Sequence, residues 1–354
     1  MPAVDVTESP GSRDAESPWR DGFLDAARPY WHPVARSKDL APGTVVPVTL
    51  LGEDLVLWRA LDNSLGLLDD LCAHRGTRLS RGDVGRDGCI RCPYHAWEYA
   101  ADGACTRLPQ LPGSSAPAKA RVRAYEVTEQ AGLVWACLVP AAERLRGIPP
   151  LPEADDPAMH VYAGEPIDWA CQSGRQIENF CDIAHFSVVH VGVFGNPDVA
   201  EVPPHRVERS ADGWQLRTAI TYPAVNTLEA PGPDGKHPVV PIDFDYTVEL
   251  PFAVRLRSSA AGRPYVLLCA NQPVTSETCR VFWVMVMDAQ HAIADDLLEA
   301  MEQSVFLADR EVVETQRPSR LPIDLGAELH LPFDRMAAAY RRALVELGFP
   351  GSDR

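Results

Sequence analysis

Two short stretches of the sequence, Leu71-Cys72-Ala73-His74-Arg75-Gly76 and Cys92-Pro93-Tyr94-His95-Ala96-Trp97, decide how the rest of the chain is interpreted. Each stretch carries a cysteine closely followed by a histidine, so two loops together offer two thiolates and two imidazoles. Such a set suits a [2Fe–2S] cluster with two cysteines on one iron and two histidines on the other. It also suits tetrahedral zinc, but zinc fingers usually pair cysteine with cysteine and histidine with histidine. We therefore favour the cluster, with Cys72, His74, Cys92 and His95 as its ligands.

The surroundings of these loops indicate a small β domain. Residues 1–18 are polar, rich in proline, serine and acidic side chains, and lack hydrophobic periodicity, which predicts a disordered tail over residues 1–20. Short apolar runs at Gly43–Leu51, Leu55–Ala60 and Gly132–Leu138 are separated by turn-forming residues. This alternation is typical of antiparallel strands. We assign residues 21–147 to this N-terminal β domain.

The second half of the chain mixes strands and helices. The stretch Ile148-Pro149-Pro150-Leu151-Pro152 predicts a linker, because proline-rich segments favour an extended backbone. Beyond it we predict a helical motif near 175–190 and helices over about 292–316 and 333–347. Strands are predicted at 214–222, 243–250, 264–271 and 279–287. Residues 148–354 therefore form a second domain, and the fold class is α+β.

Composition limits the possible partners and location. The 354 residues carry a formal net charge of −16, which argues against a nucleic-acid or anionic-membrane surface, since both require a basic face. No apolar run is long enough to span a bilayer, and the first residues lack the apolar core of a secretory signal. Nine cysteines, an odd number scattered along the chain, do not form a secreted disulfide pattern. We expect a cytoplasmic protein.

The pattern CxHRG…CPYHxW, over residues 72–97, resembles the Rieske domain of bacterial non-haem iron oxygenases. Respiratory-type Rieske proteins add a cysteine three residues after the first histidine and another just before the second. Here these positions hold Thr77 and Tyr94, so the resemblance implies the lower-potential oxygenase type of cluster without a clamping disulfide. Ala96 departs from the family, which usually has glycine after the second histidine. We expect its methyl group to be tolerated, at the risk of shifting a backbone N–H near a cluster sulfur.

A second candidate site lies in Glu178-Asn179-Phe180-Cys181-Asp182-Ile183-Ala184-His185-Phe186-Ser187-Val188-Val189-His190. Asp182 and His185 have i, i+3 spacing and are predicted to share a helix face. His190 lies about 140° further around a straight helix, so both histidines reach one metal only if the helix ends or bulges between them. From spacing alone, two ordinary packed histidines would be the simpler interpretation. The segment resembles the DxxHxxxxH catalytic motif of the same oxygenase family, which favours iron ligands instead.

Two imidazoles and one carboxylate leave open positions on Fe(II), so a carboxylate is expected downstream. On the predicted helix at 292–316, Asp309 falls on the apolar stripe formed by Leu298, Met301, Val305 and Val312. A carboxylate that faces a core is costly unless it is paired or metal-bound. This helix also resembles the third-ligand helix of the family. We predict Asp309 as the third ligand, with Glu302 as the nearest competitor.

The resemblance implies further roles. In the family, the residue equivalent to Asp182 connects the two metal centres across a head-to-tail trimer interface. Asp182 would thus join His185 to His95 of a neighbouring subunit; the alternative is that it only orients His185 within one subunit. Asn179 is predicted either to approach the iron or to cap its helix. Possible cavity-lining residues are Gln172, Phe180, Cys181, Val193, Phe194 and Asn196.

The resemblance covers nearly the whole chain and implies a helix-grip-like antiparallel sheet whose helices hold mononuclear iron. The chain length resembles the single-component homotrimeric branch of the aromatic ring-hydroxylating oxygenase α-subunits. We predict a terminal oxygenase that uses O2, and electrons from a separate NAD(P)H-dependent reductase or ferredoxin, to hydroxylate, demethylate or N-oxygenate a small molecule. Ring cis-dihydroxylation is the alternative within the family. A Rieske electron-transfer protein and a zinc-binding structural module are the alternatives outside it.

Overall fold

The computed structural model describes residues 21–85, 87–226, 229–260 and 263–351. The predicted disordered tail over residues 1–20 lies outside the described residues. The first described part begins with helix α1 (Gly22–Ala27) and continues as short antiparallel strands. These strands are β1 (His32–Arg36), β2 (Val45–Leu50), β3 (Glu53–Arg59), β4 (Leu65–Asp69), β5 (Asp83–Val84), β6 (Ile90–Arg91), β7 (Glu98–Tyr99), β8 (Cys105–Arg107), β9 (Glu126–Gln130) and β10 (Leu133–Cys137).

Three small sheets form this N-terminal part within the described residues, with strand orders β1-β10-β9, β2-β3-β4 and β5-β6-β7-β8. All of their pairings are antiparallel. Residue 72 follows β4 closely, and residue 92 follows β6 directly. Both candidate ligand stretches are therefore loops that neighbouring sheets hold in place.

The C-terminal part places a large antiparallel sheet beneath helices. Its described strands are β11 (Met159–Ala163), β12 (Ile167–Trp169), β13 (Glu208–Arg209), β14 (Gln215–Val225), β15 (Val239–Glu249), β16 (Ala253–Ala260), β17 (Arg263–Pro273) and β18 (Cys279–Asp288). Its described helices are α2 (Ser173–Cys181), α3 (Phe186–Val189), α4 (Asp295–Val313) and α5 (Arg335–Glu346). The order along the sheet is β11-β18-β17-β16-β15-β14-β13, and β12 also pairs with β18. This arrangement confirms the predicted α+β class.

Strands β17 and β18 are buried on both faces. Successive side chains of a strand point to opposite sides, and here each side packs against an apolar layer. On one face, Leu267, Trp283 and Met285 join the core beneath the helices. On the other face, Leu268 and Val284 pack against the N-terminal part, where Trp135 belongs to the same cluster. The two halves of the chain therefore share a continuous apolar interior.

Helix α5 anchors helix α2 through buried charges. The Arg341 guanidinium donates hydrogen bonds to both carboxylate oxygens of Glu178 on α2, and it also pairs with Glu328. Arg175, also on α2, pairs with the same Glu328. A buried charge needs such partners, since leaving one unpaired costs several kcal/mol. This network fixes the helix that leads into the second candidate site.

Several sequence-based boundaries need correction. The predicted helical motif at 175–190 is two helices, because α2 ends at Cys181 and α3 begins at Phe186. Strands β11, β12, β13 and β16 of the large sheet were not predicted. The proline-rich stretch 148–152 is tied to the protein interior, since Leu151 is buried in a core cluster and Pro149 accepts a hydrogen bond from Gln130. Among the described helices, none combines the length and apolar character that a bilayer crossing requires.

Candidate active site

The two cysteine–histidine loops have the same backbone structure. In the first loop, the N–H of Cys72 donates to the oxygen of Thr77 and the N–H of Gly76 donates to the oxygen of Cys72, both at 2.8 Å. In the second loop, the N–H of Cys92 donates to Trp97 at 2.8 Å and the N–H of Ala96 to Cys92 at 3.0 Å. Gly76 and Ala96 occupy equivalent positions with φ of +69° and +56°. Each turn thus needs a left-handed residue four positions after its cysteine.

The loops bring all four candidate cluster ligands together. The rings of His74 and His95 lie 4.6 Å apart between centroids. Burial is the main cause that raises the pKa of the Cys92 thiol, and the thiol of Cys72 is close enough to help raise it. The Nδ1 atom of His74 is buried without a hydrogen-bond partner in the described structure. Histidine therefore lies beside histidine and cysteine beside cysteine across the two loops, which is the pairing that the two irons of a [2Fe–2S] cluster of this type require.

Hydrogen bonds and aromatic rings surround these ligands. The hydroxyl of Tyr99 lies 3.2 Å from the Sγ atom of Cys72. Burial raises the pKa of the Cys92 thiol, while hydrogen bonds from the backbone N–H groups of Tyr94 and His95 act in the opposite direction. Trp97 stacks on His74 with 4.3 Å between centroids and 6° between planes. Tyr94 contacts His95 and is 64% exposed, so this centre lies at the protein surface.

The second site unites His185, His190 and Asp309. The Nε2 atoms of the two histidines are 3.1 Å apart, and Asp309 Oδ1 lies 3.3 Å from His185 Nε2 and 3.1 Å from His190 Nε2. A metal about 2.1 Å from each of two ligand atoms at a right angle requires those atoms to be ~3 Å apart. The three ligand atoms therefore fit the facial set that Fe(II) takes from two histidines and a carboxylate.

A break in the helix brings the two histidines together. Asp182 is the C-cap of α2 and has an extended backbone, so the expectation that Asp182 and His185 share a helix face is wrong. One break lies before His185, and α3 then ends at Val189, directly before His190, so the helix end expected between the histidines is present. A single short helix, α3, then separates His185 from His190, and the histidines cap its two ends. Their side chains can therefore point to one position from opposite ends of one turn.

Helix α4 contributes the carboxylate. Asp309 is 4% exposed and lies on the inward stripe with Leu298, Phe306 and Val313. The sequence assigned Val312 to this stripe, but Val312 is 48% exposed. The helical repeat of 3.6 residues continues inward from 309 to 313. Glu302, the competitor for the third ligand, lies two turns earlier and is not in the triad.

Charges in the triad support one another. Although burial disfavours a charged imidazole, hydrogen bonds to Asp182 and Asp309 raise the pKa of His185 to about 9. Burial likewise favours the neutral acid, but His185 and His190 hold the pKa of Asp309 below its ordinary value. A divalent cation bound by the three groups would displace the proton from His185. The donor set therefore has the charge as well as the geometry of a metal site.

Asp182 and Asn179 occupy different positions near the triad. Asp182 Oδ2 lies 3.3 Å from His185 Nδ1, the ring nitrogen that faces away from the triad, and its Oδ1 accepts from the N–H of Ala184 at 2.8 Å. Its side chain remains 39% exposed. Asn179 lies in the last turn of α2, and its Oδ1 is buried without a partner in the described residues. It is neither at the helix N-terminus nor among the residues that line the apolar cavity beside the triad.

An apolar cavity of about 180 Å³ opens onto the triad. Phe180, Val193 and Phe194 line it, as the sequence suggested. Gln172, Cys181 and Asn196 do not: for example, Gln172 bonds to Ser276 and Leu321. Most of the wall comes from strands and from α4, which sequence reasoning missed because strand residues gave no motif. These additional lining residues include Ile242, Phe244, Leu256, Leu267, Met285 and Glu302.

Comparisons with known proteins agree with this geometry. A Rieske [2Fe-2S] domain model matches residues 30–126, and a vanillate O-demethylase oxygenase C-terminal domain model matches residues 169–348. Methylxanthine N1-demethylase NdmA from Pseudomonas putida is 33% identical, with 90% of this chain and 89% of that protein covered. The chain belongs to the Rieske non-haem iron oxygenases. Methylxanthine N3-demethylase NdmB from the same organism is 30% identical over similar coverage, 90% and 89%.

Solved structures support the assignment to the Rieske oxygenases. NdmA of Pseudomonas putida CBB5 with caffeine has a TM-score of 0.78 and 30% identity, with 91% of each chain covered. Dicamba monooxygenase bound to dicamba, at 21% identity and a TM-score of 0.73 with coverage of 91% and 97%, shares the fold. As a Rieske oxygenase, the chain uses a [2Fe–2S] cluster, mononuclear iron and O2. Electrons from a separate reductase or ferredoxin drive the oxidation of a small organic substrate.

Proposed function

We propose that this terminal oxygenase inserts one oxygen atom into an N-methyl or comparable C–H bond of a small, largely apolar substrate. His185, His190 and Asp309 would hold the iron, and Cys72, His74, Cys92 and His95 would hold the cluster. The observation that carries the proposal is the triad of ligand atoms at 3.1–3.3 Å on the wall of an apolar cavity. The similarity to two methylxanthine N-demethylases favours demethylation as the outcome.

Held by His185, His190 and Asp309, the iron would supply the chemistry of O2 reduction, in which one oxygen atom goes to the substrate and the other to water with two electrons and two protons. The protein positions the substrate and keeps the ligands rigid. Phe194 packs on the ring of His190 with 4.8 Å between centroids, and Phe186 contacts both histidine rings. The apolar wall excludes water and orients the C–H bond toward the triad. This positioning is the protein's main contribution to the rate.

Electron delivery would use an assembly of subunits. Asp182 contacts His185 through one oxygen and is partly exposed, while His95 lies at a surface loop beside the exposed Tyr94. We infer a head-to-tail homotrimer in which Asp182 joins His185 to His95 of a neighbouring subunit. The electron source would be an NAD(P)H-dependent reductase. A cytoplasmic location is supported by the nine cysteines, because none of them forms a disulfide bond and disulfide bonds are typical of secreted proteins.

Iron analysis combined with EPR tests the metal assignments. The protein reconstituted anaerobically should contain cluster iron and one further iron per chain, and the reduced sample should give a Rieske signal. In Asp309→Ala, the further iron should be lost and oxygenation should fall by more than about 100-fold, while the Rieske signal remains. Glu311→Ala, an exposed position on the same helix, is the matched control and should keep both.

Labelled dioxygen tests the reaction. With ¹⁸O2, a hydroxylated product or a hydroxymethyl intermediate should contain a single labelled atom from O2, and breakdown of the hydroxymethyl intermediate should release that atom with formaldehyde and leave the demethylated product unlabelled. Two labelled atoms in one product would indicate dihydroxylation and overturn the monooxygenase proposal. Absence of a Rieske signal, or of the further iron in the wild-type protein, would overturn the metal assignments themselves.

A further inference from the structure

A carboxyl group without a protein partner faces the cavity. Glu302 lines the cavity from helix α4, seven residues before Asp309, which corresponds to ~10 Å along the helix axis. Phe306 lies between them on the same inward side and also lines the cavity. Within the described residues, no hydrogen bond or ion pair satisfies the Glu302 carboxyl. The other acidic group on this inward stripe, Asp309, belongs to the iron site.

The groups around Glu302 do not neutralise it. Glu299, one turn earlier, accepts hydrogen bonds from Tyr162, Gln303 and the backbone N–H of Glu165, so it adds negative charge without sharing a proton. Strand β17 packs near Glu302 with Tyr265 and Cys269, both neutral because burial raises their pKa values. Burial, followed by the charge of Glu299, raises the pKa of Glu302 to about 7.

The remaining wall is hydrocarbon and aromatic. Leu267, Met285 and Met287 from the sheet and Leu298 from α4 contribute apolar surface. Placing a carboxyl group in such surroundings is unfavourable unless it obtains a partner. A ligand that carries a hydrogen-bond donor or a positive charge would provide this partner. Tyr265 lines the same cavity, and the face of an aromatic ring also attracts a cation.

We propose that Glu302 recognises a protonated amine at the end of the substrate remote from the reacting carbon. This inference rests on the proposed function, because it assumes that the cavity holds the substrate beside the triad. The substrate class is then a small aromatic or heteroaromatic molecule with an oxidisable methyl group at one end and a basic nitrogen about 10 Å away, as measured by the helix rise between Asp309 and Glu302. Glu302 fixes the orientation, so that the methyl group and not the amine faces the iron.

Paired probes that differ only in charge test this proposal. We would measure the binding of 4-methoxyphenethylamine and of 2-(4-methoxyphenyl)ethanol to the oxidised holoprotein by calorimetry. Homologues with one and three carbons between the ring and the polar group would be included. The wild-type protein should bind at least one amine about 10- to 100-fold more tightly than its alcohol, since hydrogen bonds to charged groups are the strong ones. Glu302→Gln, which keeps the shape but removes the charge, should reduce this preference to less than about 3-fold.

The pH dependence separates recognition from packing. An alkyl ammonium keeps its proton up to about pH 10, whereas Glu302 gains its negative charge as the pH rises through about 7. Amine affinity should therefore increase between pH 6 and pH 8 in the wild-type protein. It should stay constant in Glu302→Gln, and alcohol binding should not rise in either protein. A purely structural Glu302 would leave the ratio of amine to alcohol affinity unchanged with pH and with substitution.

Controls distinguish this inference from the proposed function. Iron content and the Rieske EPR signal of Glu302→Gln should match the wild type, and Glu311→Gln, exposed on the same helix, should keep the amine preference. If no amine of the panel binds more tightly than its alcohol, the inference is overturned, while intact oxygenation would leave the proposed function standing. If the amine preference is present but neither the second iron nor oxygenation is found, the proposed function fails and the binding site for amines remains.

Discussion

The two metal centres of this oxygenase are built in different ways. The candidate cluster ligands come from two copies of one backbone turn, both within residues 72–97, and the neighbouring Tyr94 is 64% exposed. The candidate iron ligands come from a break between two helices and from a distant third helix. His190 and Asp309 are 2% and 4% exposed. One centre is local in sequence and close to the surface, and the other is assembled from distant segments and buried.

This difference corresponds to what each centre must do. A centre that receives electrons from another protein has to lie near the surface. A centre that activates O2 on a substrate benefits from an enclosed apolar cavity, where water does not compete with the substrate. Asp182 belongs to both environments, because it contacts a buried ligand, His185, while its own side chain is partly exposed. It is therefore the residue at which the separation of the two centres can be tested most directly.

Asp182→Asn should give the largest effect of the substitutions that leave both metals bound. Loss of the charge weakens the link to His185, and we expect steady-state oxygenation to fall by roughly 10- to 100-fold, with iron content and the Rieske signal unchanged. The measurement is turnover per bound iron, together with the rate at which a reduced cluster is reoxidised in a single turnover. Asp198→Asn, an exposed aspartate after the same motif, is the control.

The result for Asp182 has two informative alternatives. Slow cluster reoxidation with full iron content supports the bridge between subunits. Loss of iron with an unchanged rate per remaining iron would instead show that Asp182 only orients His185 within one subunit. In that case one centre would still lie near the surface and the other would still be buried, but electrons would have to pass between them through residues other than Asp182.

The two centres also differ in how far the sequence predicts them. The candidate cluster ligands could be proposed from sequence because both cysteine–histidine pairs lie in short turns, where the sequence spacing directly determines which side chains meet. The position of Gly76 in its turn follows from its left-handed backbone, which glycine adopts without strain. The strand over 214–222 was predicted from alternating apolar residues and the strand over 279–287 from a nearly continuous apolar run. The fold confirms both strands and the α+β class.

The iron site was less readable because tertiary packing determines it. The break before His185 has no proline or glycine to indicate it, so a continuous helix was the natural prediction for Asp182 and His185. On helix α4, the inward face was placed at Val312 instead of Val313, a shift of one residue that sequence periodicity does not resolve. The cavity wall consists of residues from separate strands, such as Phe244 and Met285, whose meeting depends on the register of the sheet.

Tyr99→Phe would sharpen the description of the surface centre. The Tyr99 hydroxyl is positioned to donate to the Cys72 sulfur at 3.2 Å, and a donor stabilises the more negative, reduced cluster. Removing a hydrogen bond of about 1 kcal/mol should lower the reduction potential by roughly 40 mV in a one-electron couple. A redox titration followed by EPR measures this change. Tyr94→Phe, which keeps the ring beside His95 but alters an exposed hydroxyl, should shift the potential by much less.

The Tyr99 substitution also tests how separate the centres are. Because the iron site shares none of these contacts, the affinity of Tyr99→Phe for the second iron should match that of the wild type. A change in iron binding would show that the two centres are not separate, because the cluster loops and the helix break would be mechanically coupled. A potential that does not move would mean that the backbone N–H groups of Tyr94 and His95 dominate the tuning of the sulfurs.

Ala96→Gly should give the smallest effect, and it tests whether the two turns are equivalent. Ala96 has φ of +56°, whereas its counterpart Gly76 has +69°. The left-handed conformation costs a non-glycine residue about 1–2 kcal/mol, and glycine removes this cost. Glycine also increases the conformational entropy of the unfolded chain, which offsets about 0.5–1 kcal/mol of the gain. We therefore expect a net stabilisation of about 0.5–1 kcal/mol, which corresponds to roughly 2 °C in the midpoint of thermal cluster loss, measured at one fixed scan rate.

The matched control for Ala96→Gly is Ala73→Gly in the first loop. Ala73 is exposed and its φ is not positive, so glycine there relieves no strain. Because glycine makes the unfolded chain more flexible, Ala73→Gly should lower the midpoint, by no more than Ala96→Gly raises it. Opposite signs at the two positions would show that the second turn stores strain where the first does not. Equal signs would mean that the backbone at Ala96 relaxes when the cluster binds, so that the two loops differ in conformation as well as in sequence.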